Sequence, residues 1–239
     1  MRVAFLISGG GTTMGAIINA CHTGRLMGVE PALVIANRQC GGLQRARDLG
    51  MSPDDICIIS PKDFASAEEF GEAIIHECNK HRVEFIGQYG WLTKTPDNVI
   101  ERFKNNIINQ HPGPLDPHGN GDFGGFGMYG LRVHAARLYF VQKTGRDFWT
   151  EATTHRVTSR FDEGAIVGAM GLEILLNDTP ESLQERLLPI EHELQIQMLA
   201  DFKQGLVQDK KRDYPLITKE ERGILEWAKE RAIKEYPNG

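Results

Sequence analysis

Short apolar runs alternate with amphipathic segments along the first half of the chain, and this alternation is what most limits the possible folds. The first run, Arg2–Ile7, ends in a glycine-rich loop, after which apolar residues recur every three or four positions up to Cys21. Similar runs at residues 31–36, 56–59, 84–87 and 107–109 predict four further strands, and residues 42–50 and 67–81 predict helices between them. Parallel strands need helical crossovers of this kind, so the pattern predicts a mainly parallel sheet.

The pattern changes after Gly130. Residues 131–143 predict a helix, and residues 150–157 and 165–175 predict two strands that form an antiparallel edge. Residues 178–180 begin a long helix that runs through residue 202, with a cap residue placed before proline. The charged segment 218–236 predicts a last helix, which we expect to pack on the outside and to contribute no chemistry. The predicted fold class is α/β: a mainly parallel twisted sheet flanked by helices, Rossmann-like, with an antiparallel C-terminal edge and a C-terminal helical extension.

The charge balance argues against nucleic-acid and membrane binding. The 239 residues include 27 Lys and Arg against 32 Asp and Glu, which gives a net charge of −5 and no basic field. The four cysteines are too far apart in sequence to form a Cys-x-x-Cys pair, and we expect them to be reduced. No apolar run is long enough to cross a membrane or to form a signal peptide, so we expect a cytoplasmic protein.

The glycine-rich loop at residues 8–13 lies between a predicted strand and a predicted helix. Backbone N–H groups and the positive end of a helix dipole converge in such a loop, which suits a phosphate group. The dinucleotide pattern fails because Met14 replaces the third glycine, and the P-loop pattern fails because Ala16 follows Gly15. The loop therefore favours a small phosphate-bearing substrate, although it could also be a plain tight turn.

Two further groups of polar residues follow predicted strands. Asn109 and His111 lie two positions apart at the end of the fifth run, so their side chains can face the same substrate atom. His155 and Asp162 lie seven positions apart around a predicted bend, and a carboxylate near an imidazole favours its charged form and fixes its orientation. Each group taken alone could equally be structural.

The order of these pieces resembles the formyltransferase family over about residues 1–205. The matching segments are residues 6–13, 34–38, 90–92, 109–112, 161–164 and 191–192. The resemblance implies a formyltransferase domain at residues 1–205 and a helical extension at residues 206–239. It also implies transfer of a formyl group from 10-formyltetrahydrofolate, as co-substrate, to the primary amine of glycinamide ribonucleotide, with no metal and no covalent intermediate.

The resemblance assigns roles to particular residues. Asn109, His111 and Asp162 would be the catalytic residues, with two donors for the oxyanion and a carboxylate that keeps His111 positive and accepts the proton of the amine. The other implied roles are phosphate binding by Gly11, Thr12 and Thr13, ribose binding by Glu191, and folate binding by Trp91, Leu92 and His155. The implied partners are small molecules, and a homodimer is also expected.

The sequence departs from the family's pattern at residues 113–130, which form a longer and more glycine-rich connection, with six glycines among residues 119–130. This connection could be a substrate lid or a loose loop. It leaves two alternatives open: formylation of a different amine, such as a sugar nucleotide or a hydroxylated amino acid, or a non-catalytic folate- or nucleotide-binding regulator. A dinucleotide-dependent oxidoreductase is disfavoured by the failed fingerprint.

Overall fold

The computed structural model describes residues 1–239 and has the predicted α/β architecture. Seven strands have the order β3-β2-β1-β4-β5-β6-β7. The pairs among β1 to β5 are parallel and the β6–β7 pair is antiparallel, which confirms the predicted antiparallel edge. The strands are β1 (Arg2–Ile7), β2 (Glu30–Ala36), β3 (Ile56–Ile58), β4 (Phe85–Gln88), β5 (Ile107–His111), β6 (Trp149–Arg156) and β7 (Ile166–Glu173).

Seven α-helices connect or follow these strands, and the sequence predicted all of them except the short helix α4. The helices are α1 (Thr12–His22), α2 (Gly41–Asp48), α3 (Ala67–Lys80), α4 (Asp97–Arg102), α5 (Leu131–Thr144), α6 (Pro180–Gln204) and α7 (Arg222–Glu235). The six-residue α4 is too short to show an apolar period, which is why the sequence did not predict it. Thr179 accepts from the N–H of Ser182 in the first turn of α6, in agreement with the cap predicted before proline, and Ser66 accepts from the N–H of Glu69 in the first turn of α3.

The chain divides into two compact units. The first comprises residues Met1–Gln110, Arg156–Ser159 and Gln195–Val207, and the second comprises His111–His155, Arg160–Leu194 and Gln208–Gly239. In the first unit, buried side chains of β1, β2 and β4 pack with those of α3 and α4. In the second unit, α5 and α7 pack together around a cluster that includes Phe123, Phe140 and Leu225. Burial of such apolar area is what stabilises each unit.

Two other expectations can be compared with the structure. All four cysteines are free, as expected. No helix is long and apolar enough to span a membrane.

Candidate active site

The glycine-rich loop of the first unit joins β1 to α1 and holds a backbone conformation that requires glycine. Gly11 precedes α1 with a φ of 63°, in the left-handed region. A Cβ atom at Gly11 would also lie 3.0 Å from the Cα atom of Gly42. The first turn of α1 contains no acidic residue, so the positive end of its dipole is not neutralised there. Thr12 is exposed and Thr13 is buried.

Two exposed arginines, to which the sequence assigned no role, form hydrogen bonds with the carbonyl groups of this loop. The Nε atom of Arg38 donates to the Ser8 carbonyl at 2.9 Å, and the Nε atom of Arg45 donates to the Gly10 carbonyl at 2.8 Å. Both side chains are exposed, as are Gly9 and Gly10. Two guanidinium groups and a helix N-terminus therefore make the surroundings of the loop positive although the whole chain is acidic.

The segment after β4 is tied to the same loop. The backbone N–H of Leu92 donates to the Ser8 hydroxyl at 2.9 Å, and the Ser8 N–H donates to the Gly90 carbonyl at 3.0 Å. Trp91 is buried, and its ring stacks on Phe70 at a centroid distance of 6.4 Å. Leu92, by contrast, is 44% exposed. Of the three residues predicted to bind folate, Trp91, Leu92 and His155, only Leu92 presents its side chain at the surface.

His111 is the last residue of β5 and not part of the loop after it, because the strand extends two residues beyond its predicted end. Asn109 lies two positions earlier on the same strand, so the two side chains leave the strand on the same face. The His111 ring is buried, and its Nε2 atom lies 3.1 Å from the Phe123 carbonyl oxygen. A carbonyl can only accept, so Nε2 carries a proton and Nδ1 faces Asp162.

Asp162 lies between His111 and His155 in the second unit. One carboxylate oxygen lies 3.6 Å from Nδ1 of His111, and the other lies 3.3 Å from Nε2 of His155. The backbone N–H of Gly125 donates to Asp162 at 2.9 Å. The structure thus brings His111 together with His155 and Asp162, which the sequence analysis had treated as a separate pair.

Burial and charge act in opposite directions on this cluster. Burial lowers the pKa of His111, and this effect outweighs the attraction of Asp162, so the pKa lies below its ordinary value. Burial would raise the pKa of Asp162, but the charge of His111 and the hydrogen bond from His155 outweigh it and hold that pKa well below the usual range. Burial thus opposes the expectation that Asp162 keeps His111 positive, and the charge state of the pair stays a prediction.

The glycine-rich connection at residues 119–130 is ordered around this cluster. Phe123 is fully buried in the core of the second unit, and its carbonyl accepts from His111. The Asp122 carboxylate accepts from the backbone N–H groups of Asp116 and Gly124, at 2.8 and 2.9 Å. The sequence interpretation missed these contacts because most of them are backbone contacts, which no side-chain motif reports. The expectation of a loose loop does not fit this packing.

Glu191 lies on α6 and is buried, with 6% of its side chain exposed. Its proposed contact with a ribose stays a prediction.

Comparisons of the sequence and of the fold with known proteins agree on one family. The family model described as formyl transferase matches residues 1–199. The chain is 29% identical, over 90% of its length, to the chloroplastic phosphoribosylglycinamide formyltransferase of Arabidopsis thaliana, and 32% identical, over 92%, to that of Vigna unguiculata. It spans 70% and 66% of those two proteins. The crystal structure of glycinamide ribonucleotide transformylase 1 from Symbiobacterium toebii superimposes with a TM-score of 0.73 at 29% identity, covering 86% of this chain and 88% of that one. Because the family model covers most of the chain and the fold agrees, this chain belongs to the formyl transferase family.

Proposed function

We propose that this protein transfers a formyl group from 10-formyltetrahydrofolate to the primary amine of glycinamide ribonucleotide, in purine biosynthesis. Membership of the family implies a folate-derived formyl donor and small-molecule substrates. The relatives that the chain resembles carry this activity in their names. The observation that carries the proposal is the buried contact between Nδ1 of His111 and the carboxylate of Asp162, at 3.6 Å. His111 follows Asn109 by two positions on β5.

Formyl transfer to an amine requires two events that these residues can serve. The amine attacks the formyl carbon, so the carbonyl oxygen becomes an oxyanion, and the attacking nitrogen becomes positively charged and must lose one of its protons. The amide of Asn109 and the Nε2–H of His111 are donors for the oxyanion; in the resting structure the latter is directed at the Phe123 carbonyl. Loss of one such donor typically costs about 3 kcal/mol of barrier.

The proton balance follows from the charges of the His111–Asp162 pair. The lowered pKa of His111 favours a neutral ring beside an ionised Asp162. Such a pair carries a net charge of −1, so it can accept one proton from the attacking nitrogen and become an ion pair. The same proton then passes to the departing nitrogen of the donor, which needs one proton when the C–N bond breaks. The lowered pKa of His111 keeps the ring ready to accept at neutral pH.

The acceptor's phosphate is assigned to the loop of Gly11, Thr12 and Thr13. Support comes from the N-terminus of α1 and from the exposed guanidinium groups of Arg38 and Arg45 at the loop carbonyls. The donor's flat rings are assigned to the exposed apolar side chain of Leu92. Donor binding by His155 and Trp91, ribose binding by Glu191, the domain boundary at residue 205, a homodimer and a cytoplasmic location stay predictions.

The test is direct. Purified protein is incubated with 10-formyltetrahydrofolate and glycinamide ribonucleotide, and the deformylated folate is followed by absorbance while the formylated product is identified by mass. A parallel reaction uses the same amine without its phosphate, which we expect to raise KM strongly. Turnover with a sugar nucleotide or a hydroxylated amino acid, but not with glycinamide ribonucleotide, would overturn the assignment of the acceptor. Binding of both ligands without turnover would indicate a regulator.

A further inference from the structure

The C-terminal helix α7 lies outside the part of the chain that the family model matches, which ends at residue 199. Its apolar side chains Leu225, Ala228 and Ala232 are buried in the core of the second unit. The helix packs on the outside of the second unit through this face, as expected, and its contacts extend beyond the core. Three of these contacts reach the glycine-rich loop at residues 119–130.

The contacts join one face of α7 to three consecutive parts of the loop. The Nε atom of Arg222 donates to the Asn120 carbonyl at 3.0 Å. Leu225 packs so closely on Gly121, whose φ is 133°, that a Cβ atom there would lie 2.8 Å from it. One turn further along, the Nζ atom of Lys229 donates to the Gly124 carbonyl at 2.7 Å.

The loop residues on either side of Gly124 touch the candidate catalytic pair. The carbonyl of Phe123 accepts from Nε2 of His111, and the N–H of Gly125 donates to Asp162. Lys229 therefore forms its hydrogen bond with the loop at Gly124, the residue between these two contacts. Gly124 also leaves no free space, because a Cβ atom there would lie 2.7 Å from Cβ of Asp162.

Lys229 lies in acidic surroundings. Its side chain is half-buried. Burial lowers its pKa, while the carboxylates of Asp122, Asp162 and Glu226 oppose that shift. Its hydrogen bond to the Gly124 carbonyl orders the backbone between Phe123 and Gly125.

We propose that Lys229 is a positioning residue of the active site. Through the Gly124 carbonyl it holds the loop so that Phe123 fixes the ring of His111 and Gly125 fixes Asp162. This inference rests on the proposed function, and it makes the C-terminal extension part of the catalytic apparatus.

The test compares Lys229→Met, which keeps the apolar stem and removes the donor and charge, with Lys229→Arg, which keeps both. The matched control is Lys234→Met, on an exposed position of the same helix. We expect Lys229→Met to lower kcat on the order of 10- to 100-fold, because small displacements of catalytic groups have effects of that size. KM for glycinamide ribonucleotide should change little, and Lys229→Arg and Lys234→Met should stay close to wild type.

A second measurement separates positioning from stability. The ¹⁵N shifts of the His111 ring report whether Nε2 or Nδ1 carries the proton, and we expect the Nε2–H form to lose population in Lys229→Met alone. Unchanged kcat and unchanged His111 shifts in that variant would overturn the inference, as would a loss of activity that only matches a loss of folded protein. If the wild-type protein turned over no substrate, the proposed function would fail, while the ¹⁵N comparison would still test the role of Lys229.

Discussion

Replacing Asp162 by Asn is the sharpest test of the proposed proton transfer, because it removes one charge and changes little else. Asp162 has a φ of 58°, a left-handed conformation that Asn tolerates better than most residues, whereas Ala would add strain. The amide oxygen of Asn can still accept the N–H of Gly125. Asp147→Asn is the matched control, since Asp147 has a φ of 55° and its charge pairs with Arg146 instead.

The size of the effect follows from the distance to His111. At 3.6 Å, a carboxylate stabilises the imidazolium by about 4 to 5 kcal/mol at an effective dielectric constant of about 20. In the proposed mechanism this ion pair forms only after the amine has attacked, so its loss raises the barrier by a similar amount. We therefore expect Asp162→Asn to lower kcat on the order of a thousandfold.

The assay is the steady-state turnover of glycinamide ribonucleotide, with circular dichroism to verify the fold of each variant. Asp147→Asn should retain its turnover. If folded Asp162→Asn kept kcat close to that of wild type, Asp162 would not stabilise the protonated His111, and the proposed proton path would be refuted.

Three more predictions follow from the same structure. First, kcat/KM should fall as the pH decreases through the lowered pKa of His111, because protonation of the ring removes the group that accepts the proton of the amine. The acid limb of the pH profile should therefore lie below pH 6.5. A limb at or above that value would contradict a neutral His111 ring. Second, burial lowers the pKa of His134 to about 3, and neither ring nitrogen has a partner, so the unfolded chain binds the proton more readily. Urea unfolding should show wild type losing about 2 kcal/mol more stability than His134→Leu between pH 7 and pH 5, and equal losses would exclude this. Third, a Cβ atom at Gly42 would lie 2.5 Å from the side chain of Ile7, so Gly42→Ala should cost about 1 to 3 kcal/mol of stability and raise KM for the acceptor. A Cβ atom at Gly41 would meet no atom within 4 Å, so Gly41→Ala should change neither quantity. Thermal unfolding and steady-state kinetics of both variants test this.

The sequence predicted the strands and most helices because their signals are local. Apolar periodicity and the caps at Ser66 and Thr179 involve residues only a few positions apart, and the antiparallel edge follows from the change of pattern after Gly130. The end of β5 was predicted two residues short because polar residues usually end an apolar run. His111 continues the strand since its polar atoms find partners at the Phe123 carbonyl and Asp162.

The sequence predicted residues that the structure brings together, but not the direction of the pKa shift of His111. A carboxylate beside a histidine indicates a raised pKa, and the burial of His111, together with the charge of His155, reverses that direction. Burial depends on what packs over the ring, and the contact between Lys229 and Gly124 joins residues 105 positions apart. No periodicity or short motif reports such a contact. The role of α7 could therefore emerge only from the folded chain.

The second glycine run also has a physical explanation, and it argues against a lid. Gly121 and Gly124 lie against Leu225 and Asp162 at distances that leave no room for a side chain, so these glycines let the loop backbone approach both the helix and the site. Opening such a loop would expose the buried ring of Phe123 and remove the partner of Nε2 in His111. Both changes would cost free energy and disorganise the pair that moves the proton. We therefore expect the loop backbone to stay ordered during turnover, with only the Nε2–H of His111 turning from the Phe123 carbonyl to the oxyanion when the amine attacks.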